Sequence, residues 1–255
     1  MSNQLQQPFT DIIGNSSPVQ QAIKLCWQLL KDKPETIGGT IESKSAAALI
    51  LTHLLGLMES AGMVNCRGWH SSAITLLRAI EDALDCFAAV GSSHEATLKW
   101  QNGKLKASDA AKVWTDGHFI NGHESMADYR KMIRTALNQY SHCTPEQANW
   151  NIYLESIGDG LCTMELNTES MVININSYYI DRYLCIHLYE VLYVILDVYS
   201  DYLKCHMNLK KQIEKAKGEI LIVIEDFLKF ANKEKLDISV APELLRLKRC
   251  QNKEQ

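Results

Sequence analysis

Two stretches of this sequence carry residues whose types and spacing could handle a proton beside a developing negative charge. In LLRAIEDALDCF, Arg78 and Asp82 stand one helical turn apart, with Glu81 at the edge of the apolar face beside them. In YRKMIRTALNQYSHCTP, Arg134, Asn138 and Ser141 share one stripe, and His142 follows just before Thr144-Pro145, where the helix must stop. An imidazole can take or give a proton while a guanidinium stabilises charge forming on an oxyanion. The same residues admit a structural reading. A partly buried set of charges needs partners, and Arg78, Glu81 and Asp82 would then be a clasp between helices rather than the polar wall of a cleft.

The elements that would hold these residues are helices. Pro18 opens VQQAIKLCWQLLKD, in which Ile23, Trp27 and Leu30 recur at helical spacing, and Pro34 and Gly38-Gly39 follow as breakers. A second helix is expected from about Ser43 to Ala61; it is apolar on most sides and therefore central, with His53 and Gly56 interrupting it. A third, from about Ser71 to Val90, lines up Ala73, Leu76, Leu77, Ile80, Leu84 and Phe87. Residues 94–120 mix short helical pieces with Asn102-Gly103 and Asp116-Gly117 turns and read as a surface excursion.

A fourth helix is expected from about Glu124 to His142, and Thr144-Pro145-Glu146-Gln147 carries the cap, first-turn proline and capping-box residue of another. Residues 163–175 alternate around a polar Asn167–Ser170 centre, the pattern of a small β-hairpin. Long helices then follow over about Tyr178–Lys204 and Leu209–Ala231, the latter basic early and apolar late. The expected fold class is all-α: a helical bundle over residues 18–233 with that hairpin inserted, an N-terminal tail over 1–17 and a C-terminal tail over 234–255.

Composition narrows the function classes. A net charge of -4 gives no global basic field, so nucleic acid would have to be met by a local patch. The start, MSNQLQQPFTDIIGNSS, lacks a basic segment followed by an apolar run, and His187, Glu190 and Asp197 interrupt the longest apolar helix. The expectation is a cytoplasmic chain with no membrane span. None of the eight cysteines has a partner at metal-knuckle spacing, so reduced, structural thiols are expected.

The phosphate-binding loops, the nucleophile elbow and H-E-x-x-H are all missing from the sequence. Di-metal bundles use Glu-x-x-His, whereas this chain has the reverse order, His187-Leu-Tyr-Glu190, once. His118, His123 and Glu124 have no matching partner cluster and read as an exposed loop. No metal and no cofactor are expected.

An arginine and an acidic residue in one apolar helix (Arg78, Glu81), followed by a helix ending in Tyr140-Ser141-His142, resembles uncharacterised bacterial families of the HEPN superfamily over roughly residues 43–145. The resemblance implies a helical fold, a cleft shared by paired subunits and, in catalytic members, metal-independent endoribonuclease activity of the kind found in bacterial defence and toxin systems. On that reading the catalytic set is Arg78, Glu81, Arg134 and His142. His142 would move the ribose 2′-hydroxyl proton, and an arginine would stabilise the phosphate.

Catalytic members hold their arginine and histidine four to six residues apart. Here seven residues separate Arg134 from His142, and Arg78 could take the place of Arg134 if the two helices pack side by side. The partners implied are RNA and a second copy of the chain. The rival reading is a non-catalytic helical module that dimerises or binds a protein partner through apolar helix surface, with the same charged residues tying helices together.

Overall fold

The computed structural model describes residues 17–31, 41–67, 69–115, 119–120, 124–125, 130–131, 134–135, 137, 152–157, 161–166 and 175–233. Helix α1 (Pro18–Lys31) starts where expected. Its proline occupies a position whose N–H has no helical use, and the Ser17 hydroxyl accepts from Gln20 N at 3.2 Å. Val19, Ala22, Ile23, Cys26 and Leu29 form the buried stripe.

Helix α2 (Ile41–Cys66) extends beyond both expected ends and packs along α3 (His70–Ser92), the most extensive helix pairing among the described residues. By length and composition Lys44–Cys66 is apolar enough to cross a membrane, but Leu51, Leu54, Leu55 and Met58 are fully buried against the rest of the bundle.

The excursion after α3 is helical: α4 (His94–Gln101) and α5 (Ala107–Thr115). Ser93 ends one helix and caps the next, donating its N–H to Ala89 and accepting from Ala96 N through its hydroxyl at 3.2 Å. Gly103 turns the chain with φ 64°, the left-handed region that favours glycine. Helix α5 folds back onto α3, and Ala89, Ala96 and Ala110 form a small satellite core there.

Phe119–Ile120 (β1) and Glu124–Ser125 (β2) pair antiparallel, so the helix expected from Glu124 begins later; Arg130, Lys131, Arg134, Thr135 and Leu137 are helical. The helix expected after Thr144 lies outside the described residues. Of the hairpin expected over 163–175, the described residues 163–166 belong to a different pairing. Strands Ile152–Ile157 (β3) and Leu161–Leu166 (β4) pair instead, from Ile152 opposite Leu166 to Ile157 opposite Leu161. Residues 167–174 lie outside the described residues, and Ile175 already opens a helix.

Helix α6 (Ile175–Val198) runs through the middle of the core, followed by α7 (Ser200–Cys205) and α8 (Met207–Lys233). The single helix expected over 178–204 is thus divided at Tyr199, although backbone bonds from Tyr199 N to Ile195 O and from Leu203 N to Tyr199 O carry the turn across. One hydrophobic core extends from Val19 on α1 to Ile224 on α8, and the described part of the protein is overwhelmingly helical. The basic early half of α8 is solvated, with Lys210 and Lys215 facing Glu214 and Glu219 one turn on. Cys26 and Cys185 are buried thiols; burial pushes Cys26 up to about 12 and raises Cys185 as well, so both behave as small core hydrophobes.

The α3–α6 crossing allows no side chain at Gly91. A Cβ there would sit 2.6 Å from both methyls of Val198, a β-branched side chain with little freedom to turn away. Gly91→Ala should therefore destabilise the fold by about 1–3 kcal/mol, against the gain expected from helix propensity. Urea denaturation followed by circular dichroism checks this, and Val198→Ala in the same chain should restore part of the loss.

Candidate functional site

Helical spacing brings the charged residues of three segments together. On α3, Glu81 and Asp85 are one turn apart and both fully buried; Arg130 and Arg134 repeat that spacing on the helical stretch opposite. The two pairs meet rung to rung. Arg130 Nη1 donates to Glu81 Oε2 at 2.5 Å, and Arg134 Nη2 donates to Asp85. Helix α6 supplies the third side through Tyr183, His187 and Glu190, again at one-turn intervals.

Arg130 is the hub. It is 1% exposed, and its second terminal nitrogen donates to Glu190 Oε2 at 3.2 Å while its Nε lies 3.5 Å from Asp85 Oδ1. One planar guanidinium thus faces three carboxylates from two helices, a geometry that a lysine ammonium could not reproduce.

Glu81 is engaged at both oxygens. Oε2 takes Arg130; Oε1 accepts the Tyr183 hydroxyl at 2.7 Å and lies 2.8 Å from His187 Nε2. His187 Nδ1 is 3.5 Å from Glu190 Oε2, and both ring contacts are at ion-pair distance without the alignment of a regular hydrogen bond. The rings of Tyr183 and His187 lie 4.3 Å apart, so the tyrosine and histidine position each other. Burial alone would push the Glu81 carboxyl up, but Arg130, His187 and the Tyr183 hydroxyl together outweigh it and hold the group well below the usual carboxylate range.

Toward the surface the network opens. Arg134 is 15% exposed at its side chain, donates to the Ala107 carbonyl at 3.0 Å and lies 3.7 Å from Asp82. Arg78, 23% exposed, pairs with Asp82 one turn along α3. A second buried polar contact joins α2 to α6, where Asn65 Nδ2 donates to Asp181 Oδ1 at 2.7 Å.

Of the four residues singled out from the sequence, the structure draws Arg78, Glu81 and Arg134 into one network, and His142 lies outside the described residues. Glu81, expected at the edge of the apolar face, is at the centre of the bundle with no exposure. Sequence reasoning did not place Arg130, Tyr183, His187 or Glu190 in the site. Their signal was the matching one-turn spacing of two arginines and two carboxylates, together with His187-x-x-Glu190 in an otherwise apolar helix. Among the described residues no cluster of histidine, cysteine and carboxylate groups is arranged to hold a metal ion. Comparison with known protein families, with curated proteins and with solved structures gives no match.

Proposed function

We propose that this protein is a non-catalytic helical module that binds a second copy or a protein partner through apolar helix surface, and that the Arg130-centred network is its internal clasp. The observation that supports this reading is the state of Glu81: no exposure, and both carboxylate oxygens taken by Arg130, Tyr183 and His187. A general acid or base must reach a substrate proton. A carboxylate closed in this way holds helices in register, and a hub arginine shared by three carboxylates favours one packing arrangement over others.

Partner binding finds support in what the bundle leaves outside. Leu49 and Met63 on α2 are 65% and 51% exposed, and Tyr193 and Ile222 also face outward. The competing expectation, a HEPN-like ribonuclease using His142 with Arg78 or Arg134, gives a clear experimental contrast. On the proposed reading the purified chain cleaves no RNA, with or without EDTA, in a gel assay spanning single-stranded and structured substrates. Cleavage that persists in EDTA and is lost in His142→Ala, with thermal stability unchanged, would overturn the module reading and establish the catalytic one.

A further inference from the structure

The outer face of α2 has a pattern that fits a copy of itself. Its core-facing side is fully committed to the bundle, while the opposite side is open over several turns. Leu49, Gly56 and Met63 fall at seven-residue intervals along that open side, two helical turns apart and nearly in line. Among the described residues nothing lies within 4 Å of where a Cβ on Gly56 would be, so the middle of the face is bare and no described side chain obstructs it.

We infer that α2 pairs antiparallel with α2 of a second copy, crossing at Gly56 on a two-fold axis; this rests on the module reading above and names its partner. A two-fold interface must be self-complementary. With Gly56 at the axis, Leu49 of each copy meets Met63 of the other, and the polar positions Thr52 and His53 fall level with Glu59 and Ser60 of the other chain. Apolar residues thus meet apolar ones at both ends, polar residues meet polar ones between them, and the residue lacking a side chain sits where the backbones come closest. Two helices meeting at glycine can approach to about 8 Å between axes. Thr52, His53 and Ser60 are exposed, and their polar groups together with Glu59 favour a protein partner over a lipid surface for a helix that is otherwise apolar enough to enter one.

The experiment uses the full chain. Light scattering at micromolar concentration should give the mass of two chains, and Gly56→Trp should give the mass of one with helicity and thermal midpoint unchanged, since the new side chain points into open space. In a Cys205→Ser background, Gly56→Cys should link the two copies on mild oxidation and release them with reductant, whereas Lys211→Cys on α8 should not. A two-chain mass retained by Gly56→Trp, with no link at position 56, would overturn this pairing while leaving the module reading in place. A one-chain mass for the unsubstituted protein would overturn the second copy as partner. Flotation of the native chain with phosphatidylcholine vesicles, lost in Leu49→Glu, would give the face to lipid and overturn the inference. Metal-independent cleavage of RNA by a dimer that Gly56→Trp separates would remove the module reading and keep the interface.

Discussion

Replacing Arg130 by alanine should cost about 3–5 kcal/mol of stability, the largest effect expected of any single substitution among the described residues. The reason is the accounting of charge around one side chain. Arg130 is buried against Glu81, Asp85 and Glu190, and removing it takes the shared guanidinium away from three core carboxylates, which Arg134, His187 and the Tyr183 hydroxyl still face in part. An unpaired buried carboxylate loses its solvation and gains nothing in return. Arg130→Lys should recover little, because an ammonium cannot fork between Glu81 and Glu190. Arg78→Ala is the internal contrast: its pair with Asp82 is partly in solvent and within one helix, so its loss should be under about 1 kcal/mol. Urea unfolding monitored by circular dichroism decides. Equal, small losses for Arg130→Ala and Arg78→Ala would mean that water reaches the hub and that the clasp is not a closed one.

The helices that position this network were legible because their apolar residues repeat at helical spacing, and Pro18 and the Asn102-Gly103 turn punctuate them in the expected way. What the periodicity could not show was which polar faces meet. Glu81 reaches Tyr183 and Arg130 across chain separations that no local window spans. A helix read by itself made Glu81 an edge residue; only the arrival of α6 and the Arg130 segment makes that edge an interior. The division at Tyr199 left no sequence mark, since the backbone bonds run through it.

The described hairpin lies earlier in the chain than the expected one for a different reason. IYLESI and LCTMEL each carry strand-forming residues and are separated by Gly158-Asp159-Gly160, a stronger turn signal than the polar Asn167–Ser170 stretch on which the expectation rested. The chemistry stayed open between two readings for a related reason. Arginine and carboxylate on one helix suggest a cleft as readily as a clasp, and burial, a tertiary quantity, separates the two.

Acid should loosen the protein through Glu81, and the sign follows from its surroundings. Its folded carboxyl is held below the ordinary value of 4.5, burial acting to raise it and Arg130, His187 and Tyr183 lowering it by more. The unfolded chain therefore binds the proton more readily than the folded one, and stability rises with pH across this titration. The contribution is fully present above pH 4.5 and is lost progressively as pH falls below it toward the folded value. Glu81→Gln keeps the shape and removes the titration. It should cost roughly 2–4 kcal/mol at neutral pH, where Arg130 loses a charged partner, and that difference should shrink as the unsubstituted protein is taken below pH 4.5. The measured quantity is the gap between the two stability curves, in which contributions common to both proteins cancel. A gap that stays constant from neutral pH to pH 3 would show that Glu81 does not carry its charge in the folded state. The Arg130–Glu81 contact would then be a neutral hydrogen bond, with the weight of the clasp resting on Asp85 and Glu190.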